Sequence, residues 1–288
     1  MDNETTIKCG LVGYPIGHSL SPKMHNAAFK EFDLSYRYHL YPVELKNLGS
    51  FISSLREDNI KGLNVTVPYK EKILPYLDQK SDAVEKIGAA NTLVVEDGKL
   101  KGFNTDFLGF SKHLQELVDP YQFKVALLGA GGAAKAVVYS LLKDKVKTIS
   151  IFDIDKKKAK ELVKRAKGWS DYLGADTKIN QAESVKALDI FKKNLLINAT
   201  PVGLKESDPL IVPEELFCKD LVVYDLIYNP AMTKILAAAK DKGLKFSNGL
   251  GMLVYQGAES FLHFTGINLE LDNVAAIMKE ALTKEGRR

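Results

Sequence analysis

Apolar and polar positions along the chain form alternating short and long blocks. Short apolar runs are typical of buried strands, and longer stretches with an apolar residue every three or four positions are typical of helices with one buried face. Strands are predicted at residues 7–13, 35–41, 62–67, 125–128, 148–152, 195–199, 221–225 and 245–247. Helices are predicted at residues 22–32, 45–56, 105–117 and 271–283, and from Gly251 to 264. The alternation predicts an α/β fold.

Turn and cap signals divide these elements into two predicted domains. Ser21 before Pro22 is a predicted helix cap, and Asp97-Gly98 is a predicted two-residue hairpin turn between strands within 92–101. Asp119-Pro120 marks a boundary, so the domains are predicted at 1–118 and 119–265. The amphipathic helix at 271–283, within the last segment 266–288, is expected to pack back onto the first domain and complete it.

A glycine-rich turn follows the apolar run at 125–128 and precedes a helix of small and apolar residues. Its residues are Gly129, Ala130, Gly131, Gly132 and Ala133. A second apolar run then ends in Asp153, 24 residues after Gly129. This layout predicts a dinucleotide-binding βαβ unit, in which glycines let the backbone approach a pyrophosphate and the acid accepts ribose hydroxyls. The alternative is a glycine turn that only closes a corner between strand and helix.

Composition narrows the class of protein. The chain has 288 residues, 45% of them hydrophobic and 26% charged, which is ordinary for a soluble globular protein. The net charge of +4 is too small to indicate a nucleic-acid partner, and no apolar stretch is long enough to span a membrane. Two distant cysteines and a polar N-terminus predict a cytoplasmic location without a disulfide framework. The five histidines have no ligand spacing, so no metal is expected.

Polar residues follow several predicted strands of the first domain, where ligands of α/β sheets usually bind. Ser19 and Ser21 at a helix start suit a carboxylate, although Ser21 alone is equally well explained as a cap. Lys70 follows a strand and a turn proline, and Asp106 lies downstream near Asn91 in the predicted arrangement. A lysine and an aspartate brought together could pass a proton to a substrate oxygen. The alternatives are a surface amine and an acid in the first turn of a helix.

Several of these segments together resemble the shikimate dehydrogenase family, including its quinate/shikimate branch. The matching segments lie at residues 17–22, 64–70, 88–92, 102–106, 129–133, 198–203 and 248–258. They run in the family's order across nearly the whole chain. The resemblance implies an N-terminal α/β substrate domain, a Rossmann dinucleotide-binding domain and an active-site cleft between them. It also implies reversible oxidation of a ring hydroxyl of a cyclic polyol carboxylate, shikimate or quinate, with a nicotinamide cofactor.

The resemblance also implies roles for individual residues. Lys70 and Asp106 would form the catalytic pair. The implied substrate contacts are Ser19, Ser21, Thr66, Asn91, Tyr228 and Gln256. The implied cofactor contacts are Gly129, Ala130, Gly131, Gly132, Ala133, Asp153, Thr200, Gly249 and Met252. The expected partner is the small-molecule substrate, and the chain is expected to be a monomer or a homodimer.

The acid at position 153 predicts which nicotinamide cofactor is used. Many members of the family use NADP and carry an arginine in this region, whereas this chain has Asp153 followed by Ile154 and Asp155. A carboxylate there would accept hydrogen bonds from a free ribose and repel a 2′-phosphate. NAD preference is therefore predicted, with NADP as the alternative because Lys156 and Lys157 could partly neutralise a phosphate.

Three other functions compete with a quinate/shikimate dehydrogenase. One is a strictly biosynthetic, NADP-dependent shikimate dehydrogenase. Another is a two-domain dehydrogenase of amino acid or folate-like substrates, against which the serine cluster and the Lys70 and Asp106 motifs argue. The last is a dinucleotide-sensing regulator without turnover, which would predict a damaged catalytic pair.

Overall fold

The protein is described by a computed structural model that covers residues 6–55 and 59–283. Its contacts divide the chain into two compact units. The substrate unit, as we call it, comprises the chain up to Gly109 and from Leu253 onward, and the dinucleotide unit comprises Phe110–Met252. The predicted boundaries after residues 118 and 265 lie 9 and 13 residues further along the chain than these divisions.

The substrate unit contains one mixed six-stranded sheet within the described residues. Its strands are β1 (Ile7–Gly13), β2 (Tyr36–Pro42), β3 (Ile60–Val65), β4 (Gln79–Lys80), β5 (Thr92–Glu96) and β6 (Lys99–Phe103). The order across the sheet is β2-β1-β3-β5-β6-β4. The pairs of β1 with β2 and β3 are parallel, and β5 is antiparallel to both β3 and β6.

The dinucleotide unit contains a six-stranded sheet in which every described strand pair is parallel. Its strands are β7 (Lys124–Leu128), β8 (Thr148–Phe152), β9 (Lys178–Gln181), β10 (Leu195–Asn198), β11 (Val222–Asp225) and β12 (Lys245–Ser247). The order β12-β11-β10-β7-β8-β9 reverses direction at β7. This is the doubly wound Rossmann arrangement, in which ligands bind beyond the strand ends at the reversal. The predicted α/β class is confirmed.

Helices flank both sheets. In chain order they are α1 (Ser21–Glu31), α2 (Leu48–Ser54), α3 (Asp82–Ile87), α4 (Asp106–Leu117), α5 (Gly132–Lys143), α6 (Lys156–Leu173), α7 (Lys234–Asp241), α8 (Leu250–Thr265) and α9 (Leu271–Thr283). In the substrate unit α9 packs against α1. Met24 and Phe29 of α1 share a buried core with Phe261 of α8 and Met278 of α9, so the C-terminal segment belongs to the core of this unit.

Most predicted elements are present, with ends shifted by one or two residues. The hairpin turn is confirmed, because Asp97 and Gly98 both have positive φ angles between β5 and β6. The predicted cap role of Ser21 is wrong: Leu20 holds the cap position and Ser21 is the first residue of α1. The predicted helix at 45–56 is a 3-10 turn at Leu45–Asn47 followed by α2, and Arg56 lies outside the described residues.

Two properties of the described residues bear on function. None of the helices in 6–55 and 59–283 is long and apolar enough to cross a membrane. In the same ranges, no three His, Cys, Asp or Glu side chains gather as a metal site would require.

Candidate active site

Strand register brings distant chain segments to one edge of the sheet in the substrate unit. Asn64 of β3 lies opposite Thr92 of β5, and Thr92 lies opposite Phe103 of β6. Because β5 runs antiparallel to both neighbours, the residues after β3, before β5 and after β6 all meet at the same edge. These are the segments that carry Lys70, Asn91 and Asp106.

Lys70 and Asp106 form an ion pair at this edge. The Lys70 Nζ lies 2.7 Å from Asp106 Oδ2, and the side chains are 21% and 8% exposed. The other carboxylate oxygen, Oδ1, accepts a hydrogen bond of 2.9 Å from Asn91 Nδ2. Asp106 is therefore held from both sides, while the Lys70 side chain remains partly exposed.

Asn91 connects the ion pair to helix α8. Its Nδ2 also lies 3.3 Å from Gln256 Oε1, and its Oδ1 accepts a hydrogen bond of 2.7 Å from the backbone N–H of Thr105. Gln256 Nε2 donates to the Leu253 carbonyl at 2.8 Å. The structure thus brings four of the predicted site residues, Lys70, Asp106, Asn91 and Gln256, into one buried polar cluster.

The serine pair and Thr66 lie on the loops that follow β1 and β3. Ser19 Oγ donates to Ser21 Oγ at 3.2 Å, and the Ser21 backbone N–H donates to Ser19 Oγ at 3.2 Å. The Thr66 N–H bonds to the Val12 carbonyl at 3.0 Å. A Cβ on Gly13 would collide with the Thr66 side chain, so glycine there allows the two loops to approach. Two hydroxyls at the first turn of α1 are an arrangement that suits an anion.

The glycine turn of the dinucleotide unit lies between β7 and α5, where the strand order reverses. Gly129 has φ +99°, and a Cβ there would lie 2.8 Å from the Ala199 carbonyl oxygen. Its N–H donates to the Phe152 carbonyl at 2.7 Å. Only glycine adopts this backbone conformation readily and fits this approach.

The next two glycines meet a different requirement. A Cβ added to Gly131 or Gly132 would have no atom within 4 Å, so neither glycine is needed for packing of the described residues. Gly131 caps α5 without a side-chain hydrogen bond, which leaves the first N–H groups of the helix unbound by a cap. Open space beside an uncapped helix N-terminus fits the pyrophosphate of a dinucleotide, with Ala130 and Ala133 on either side of the glycines.

Asp153 follows β8 and is held by two backbone groups. Its Oδ2 accepts from the Ala130 N–H at 2.8 Å, and its Oδ1 accepts from the Asp155 N–H at 2.8 Å. A carboxylate has about four lone-pair positions, so it can accept further hydrogen bonds. Ile154, directly after it, is 91% exposed. The acid is thus fixed beside the glycine turn, as the sequence spacing predicts.

Thr200 belongs to a third set of polar groups in the dinucleotide unit. Its hydroxyl donates to Asn198 Oδ1 at 2.7 Å and accepts from the Val202 N–H at 3.2 Å. Asn198 Nδ2 donates in turn to Asp225 Oδ1 at 3.0 Å. Burial raises the pKa of Asp225, and hydrogen bonds from Thr233, Ile227 and Asn198 oppose that shift. The network fixes the loop that follows β10.

Three further predicted residues lie near the end of the dinucleotide unit. Tyr228 is half-buried, and burial raises the pKa of its phenol. The Gly249 N–H donates to the Ile227 carbonyl at 3.2 Å, and a Cβ on Gly249 would collide with the Leu226 carbonyl. Met252 is 9% exposed. Glycine at 249 is therefore required by the close approach of two backbone segments.

Sequence reasoning missed several residues of the polar cluster in the substrate unit. Tyr38, Asn64, Thr105 and Ser260 are all buried there and hydrogen-bonded to one another or to the predicted residues. Ser260 lies four residues after Gln256, so the helical spacing places both on one face of α8. That spacing was the one signal that could have found Ser260.

The comparison with known families agrees with this arrangement. The family described as "Shikimate dehydrogenase substrate binding domain" matches residues 11–93, and "Shikimate 5'-dehydrogenase C-terminal domain" matches residues 249–282. Fold and site together define a two-unit α/β protein with a Rossmann sheet and a partly buried lysine–aspartate pair.

Relatives similar over almost their whole length extend the match. The shikimate dehydrogenase (NADP(+)) of Halothermothrix orenii is 41% identical, with 94% of each chain covered. A solved structure of shikimate 5-dehydrogenase from Listeria monocytogenes with shikimate and NAD has TM-score 0.86 and 35% identity, covering 96% of this chain and 97% of that one. The quinate dehydrogenase of Corynebacterium glutamicum with NAD has TM-score 0.85 and 26% identity, covering 96% and 99%. The chain belongs to the shikimate dehydrogenase family.

Proposed function

We propose that the protein is an NADP-dependent shikimate dehydrogenase that interconverts shikimate and 3-dehydroshikimate. The observation that carries the proposal is the partly buried Lys70–Asp106 ion pair at 2.7 Å, with its carboxylate fixed by Asn91. The intact pair disfavours the dinucleotide sensor without turnover. The name of the Halothermothrix orenii relative supports both the substrate and NADP.

Substrate binding is assigned to the polar residues at the edge of the first sheet. The hydroxyls of Ser19 and Ser21, which lie 3.2 Å apart, would donate to the substrate carboxylate. Thr66, Asn91 and Gln256 would hold the ring hydroxyls, and Tyr228 is assigned to the carboxylate end. The Asn91 amide already bonds to Asp106 and Gln256, which would keep it rigid when the substrate enters.

Proton transfer is assigned to Lys70 and Asp106. In the direction of reduction, the Lys70 ammonium would donate a proton to the substrate oxygen as negative charge develops on it. In oxidation the same pair would take up the hydroxyl proton. Asp106, 8% exposed, orients the ammonium group and offsets its charge.

Cofactor binding is assigned to the dinucleotide unit. The backbone of Gly129–Ala133 would hold the pyrophosphate, Asp153 would lie at the adenosine ribose, and Thr200, Gly249 and Met252 would lie along the nicotinamide half. A bound nicotinamide dinucleotide supplies the hydride acceptor in oxidation and the donor in reduction. The open space at Gly131 and Gly132 supports this assignment.

One observation favours NAD as a second candidate cofactor. The Asp153 carboxylate lies beside the glycine turn, bonded to the Ala130 N–H at 2.8 Å, where it would repel a 2′-phosphate. The Listeria monocytogenes structure contains NAD. Against this, Lys157, the second residue of α6, has an exposed side chain four residues after Asp153 and could neutralise a phosphate. NAD preference therefore stays a prediction.

Quinate is the second candidate substrate, favoured by the likeness to the Corynebacterium glutamicum quinate dehydrogenase. Initial rates of reduced-cofactor formation with shikimate or quinate, each with NADP or NAD, test the proposed substrate and the proposed cofactor together. The proposal predicts the highest kcat/KM for shikimate with NADP. Highest kcat/KM with NAD would support the Asp153 argument, and absence of turnover in all four mixtures would contradict dehydrogenase activity.

A further inference from the structure

A chain of buried polar side chains runs through the substrate unit between the serine pair and the ion pair. Its first link is Tyr38 on β2, which is 2% exposed. Burial raises the pKa of the Tyr38 phenol, the nearby Cys9 raises it further, and a hydrogen bond with the Ser21 side chain opposes the shift. The same hydroxyl donates to Asn64 Oδ1 at 2.7 Å. Tyr38 therefore joins the serine pair to β3.

Asn64 links this network of side chains to helix α8. Its Nδ2 has three acceptors within hydrogen-bond distance: Ser260 Oγ at 2.8 Å, Thr92 Oγ1 at 3.1 Å and the Asn91 carbonyl at 3.2 Å. The amide has two hydrogens for these three acceptors. The bond to Ser260 is the shortest of them, so Ser260 is the main partner of the Asn64 amide.

Ser260 connects this amide to the residues around the ion pair. Its Oγ lies 2.8 Å from Thr92 Oγ1 and 3.2 Å from Thr105 Oγ1, and it donates to the Gln256 carbonyl at 2.8 Å. Thr105 Oγ1 in turn accepts from Asn91 Nδ2 at 2.9 Å, and the same Nδ2 donates to Asp106 Oδ1. The path from Ser21 to Asp106 is continuous.

Burial makes this path stiff. Tyr38 is 2% exposed and Ser260 is 0% exposed, and their hydroxyls are bonded to Asn64, Thr92 and the Gln256 carbonyl, so both side chains are internal links of the network. A buried polar group without a partner is costly, and a fully bonded network therefore favours one arrangement of its members over others. Any effect of Tyr38 or Ser260 on the reaction has to act through the residues that they hold.

We propose that Tyr38 and Ser260 are positioning residues that keep the serine pair and the Lys70–Asp106 pair at a fixed separation. The inference rests on the proposed function, because the two pairs are assigned to the two ends of one substrate. With the carboxylate bound at Ser19 and Ser21, the network sets where the reacting hydroxyl falls relative to Lys70. Correct placement of reacting groups is a large part of the rate of such enzymes.

Substitutions at the two ends of the network, at Tyr38 and at Ser260, should have different kinetic effects. In Ser260→Ala the Asn64 amide loses its shortest acceptor and Thr92 loses a close partner, so kcat should fall about tenfold while KM for shikimate changes little. In Tyr38→Phe the Ser21 hydroxyl loses a partner and Asn64 Oδ1 is left unpaired. KM for shikimate should then rise about fivefold, with a smaller change in kcat.

The double variant tests whether the two residues act through one network. If they do, the loss of kcat/KM in the double variant is smaller than the product of the two single losses, because the second change acts on a path already broken. Ser260→Cys replaces the hydroxyl with a weaker partner of similar size and should fall between wild type and Ser260→Ala. It keeps the test usable if Ser260→Ala does not fold.

Matched controls separate positioning from a general effect of removing a buried hydroxyl. Ser140 on α5 is 0% exposed, and its Oγ has no hydrogen-bond partner among the described residues. Ser140→Ala should leave kcat and KM unchanged. Tyr36, two residues before Tyr38 on the same strand, supplies the matched Tyr36→Phe change, which should also leave them unchanged.

The outcomes distinguish the inference from the function on which it rests. Wild-type turnover with the kcat and KM effects above, and non-multiplicative losses in the double variant, is the expected result. Two results would overturn the inference alone, given a wild-type protein that turns over. One is wild-type kinetics in both single variants, and the other is a loss of kcat/KM in the double variant equal to the product of the two single losses. A wild-type protein without turnover would overturn the proposed function and this inference with it.

Discussion

The two candidate sites are built in different ways. In the substrate unit, side chains bond to side chains: Lys70 to Asp106, Asn91 to Asp106 and to Gln256. In the dinucleotide unit, the glycine turn presents backbone groups beside open space at Gly131. The first site is thus shaped before a ligand arrives, whereas the second leaves room that a ligand would fill.

The difference follows from what each site has to do. A group that moves a proton has to sit at one position, so its neighbours are fixed by buried hydrogen bonds. A pyrophosphate is held by several N–H groups and a helix dipole, which need only an uncapped helix end and the absence of side chains. Substitutions should therefore act on turnover and substrate binding in one unit and on dinucleotide binding in the other.

Among the substitutions expected to affect the ligand of one unit only, loss of both serine hydroxyls should have the largest effect. The double variant Ser19→Ala/Ser21→Ala lacks two hydrogen bonds to a charged group, so KM for shikimate should rise about 100-fold. KM for the dinucleotide should stay at the wild-type value, because the change lies in the substrate unit. Steady-state kinetics with each substrate varied in turn measures both, and an equal rise in both KM values would remove the distinction between the units.

Acid should destabilise the substrate unit through His25. The ring stacks on Tyr38 at 4.2 Å, neither ring nitrogen has a hydrogen-bond partner among the described residues, and burial lowers its pKa to about 3. The ordinary pKa is about 6.5, so the unfolded chain binds a proton that the folded chain excludes over this interval. The free energy of unfolding should fall with decreasing pH between these values, by up to about 1.4 kcal/mol per unit from this residue.

His25→Phe keeps a ring against Tyr38 and removes the titrating group. Its free energy of unfolding, from denaturant titrations between pH 4 and 7, should decrease less steeply on acidification than that of wild type. His18→Gln, at an exposed position, serves as the matched control for the loss of a histidine. Parallel slopes for wild type and His25→Phe would show that the buried ring does not cause acid sensitivity.

Alanine substitutions at Gly129 and Gly131, in the same turn, should have different effects: one on stability and the other on dinucleotide binding. Gly131→Ala meets open space at φ −79°, so stability should not change, but KM for the dinucleotide should rise about tenfold because the methyl group occupies the pyrophosphate side. Gly129→Ala at φ +99° should instead lower the free energy of unfolding by about 1–3 kcal/mol. Thermal unfolding and dinucleotide titration together test the pair, and unchanged binding by Gly131→Ala would contradict the assignment.

Asp153→Asn should give the smallest effect. Removal of one negative charge next to a 2′-phosphate changes the interaction by about 1 kcal/mol at a solvent-exposed site, so the ratio of kcat/KM for NADP to that for NAD should rise about fivefold. The amide oxygen can still accept from the Ala130 N–H. An unchanged ratio would show that Asp153 does not lie near the ribose.

The dinucleotide site was more readable from the sequence than the substrate network, and the reason is chain distance. The glycine turn is contiguous, and Asp153 follows at the spacing of one βα unit, so local pattern predicts both. The bond between Asn64 and Ser260 joins residues 196 positions apart, and strand register together with helix packing decides it. The resemblance to a family supplied Lys70 and Asp106 as a pair, but no local pattern indicated Tyr38, and only the helical spacing from Gln256 pointed to Ser260.

Short elements were the main omission from the predicted fold. The two-residue strand β4, the four-residue strand β9, the six-residue helix α3 and the helix α7 were not predicted. Ser21 was assigned to a cap from its place before Pro22, but its hydroxyl bonds to Ser19 and Tyr38 instead. In each of these places tertiary contacts outweigh the local signal.

The turnover of Lys70→Ala with shikimate tests the account most directly. A group that transfers a proton contributes about 10²- to 10⁴-fold, so kcat should fall by at least about 100-fold. The dissociation constants of shikimate and of the dinucleotide should remain close to those of wild type. A kcat near the wild-type value would contradict the assignment of proton transfer to the Lys70–Asp106 pair.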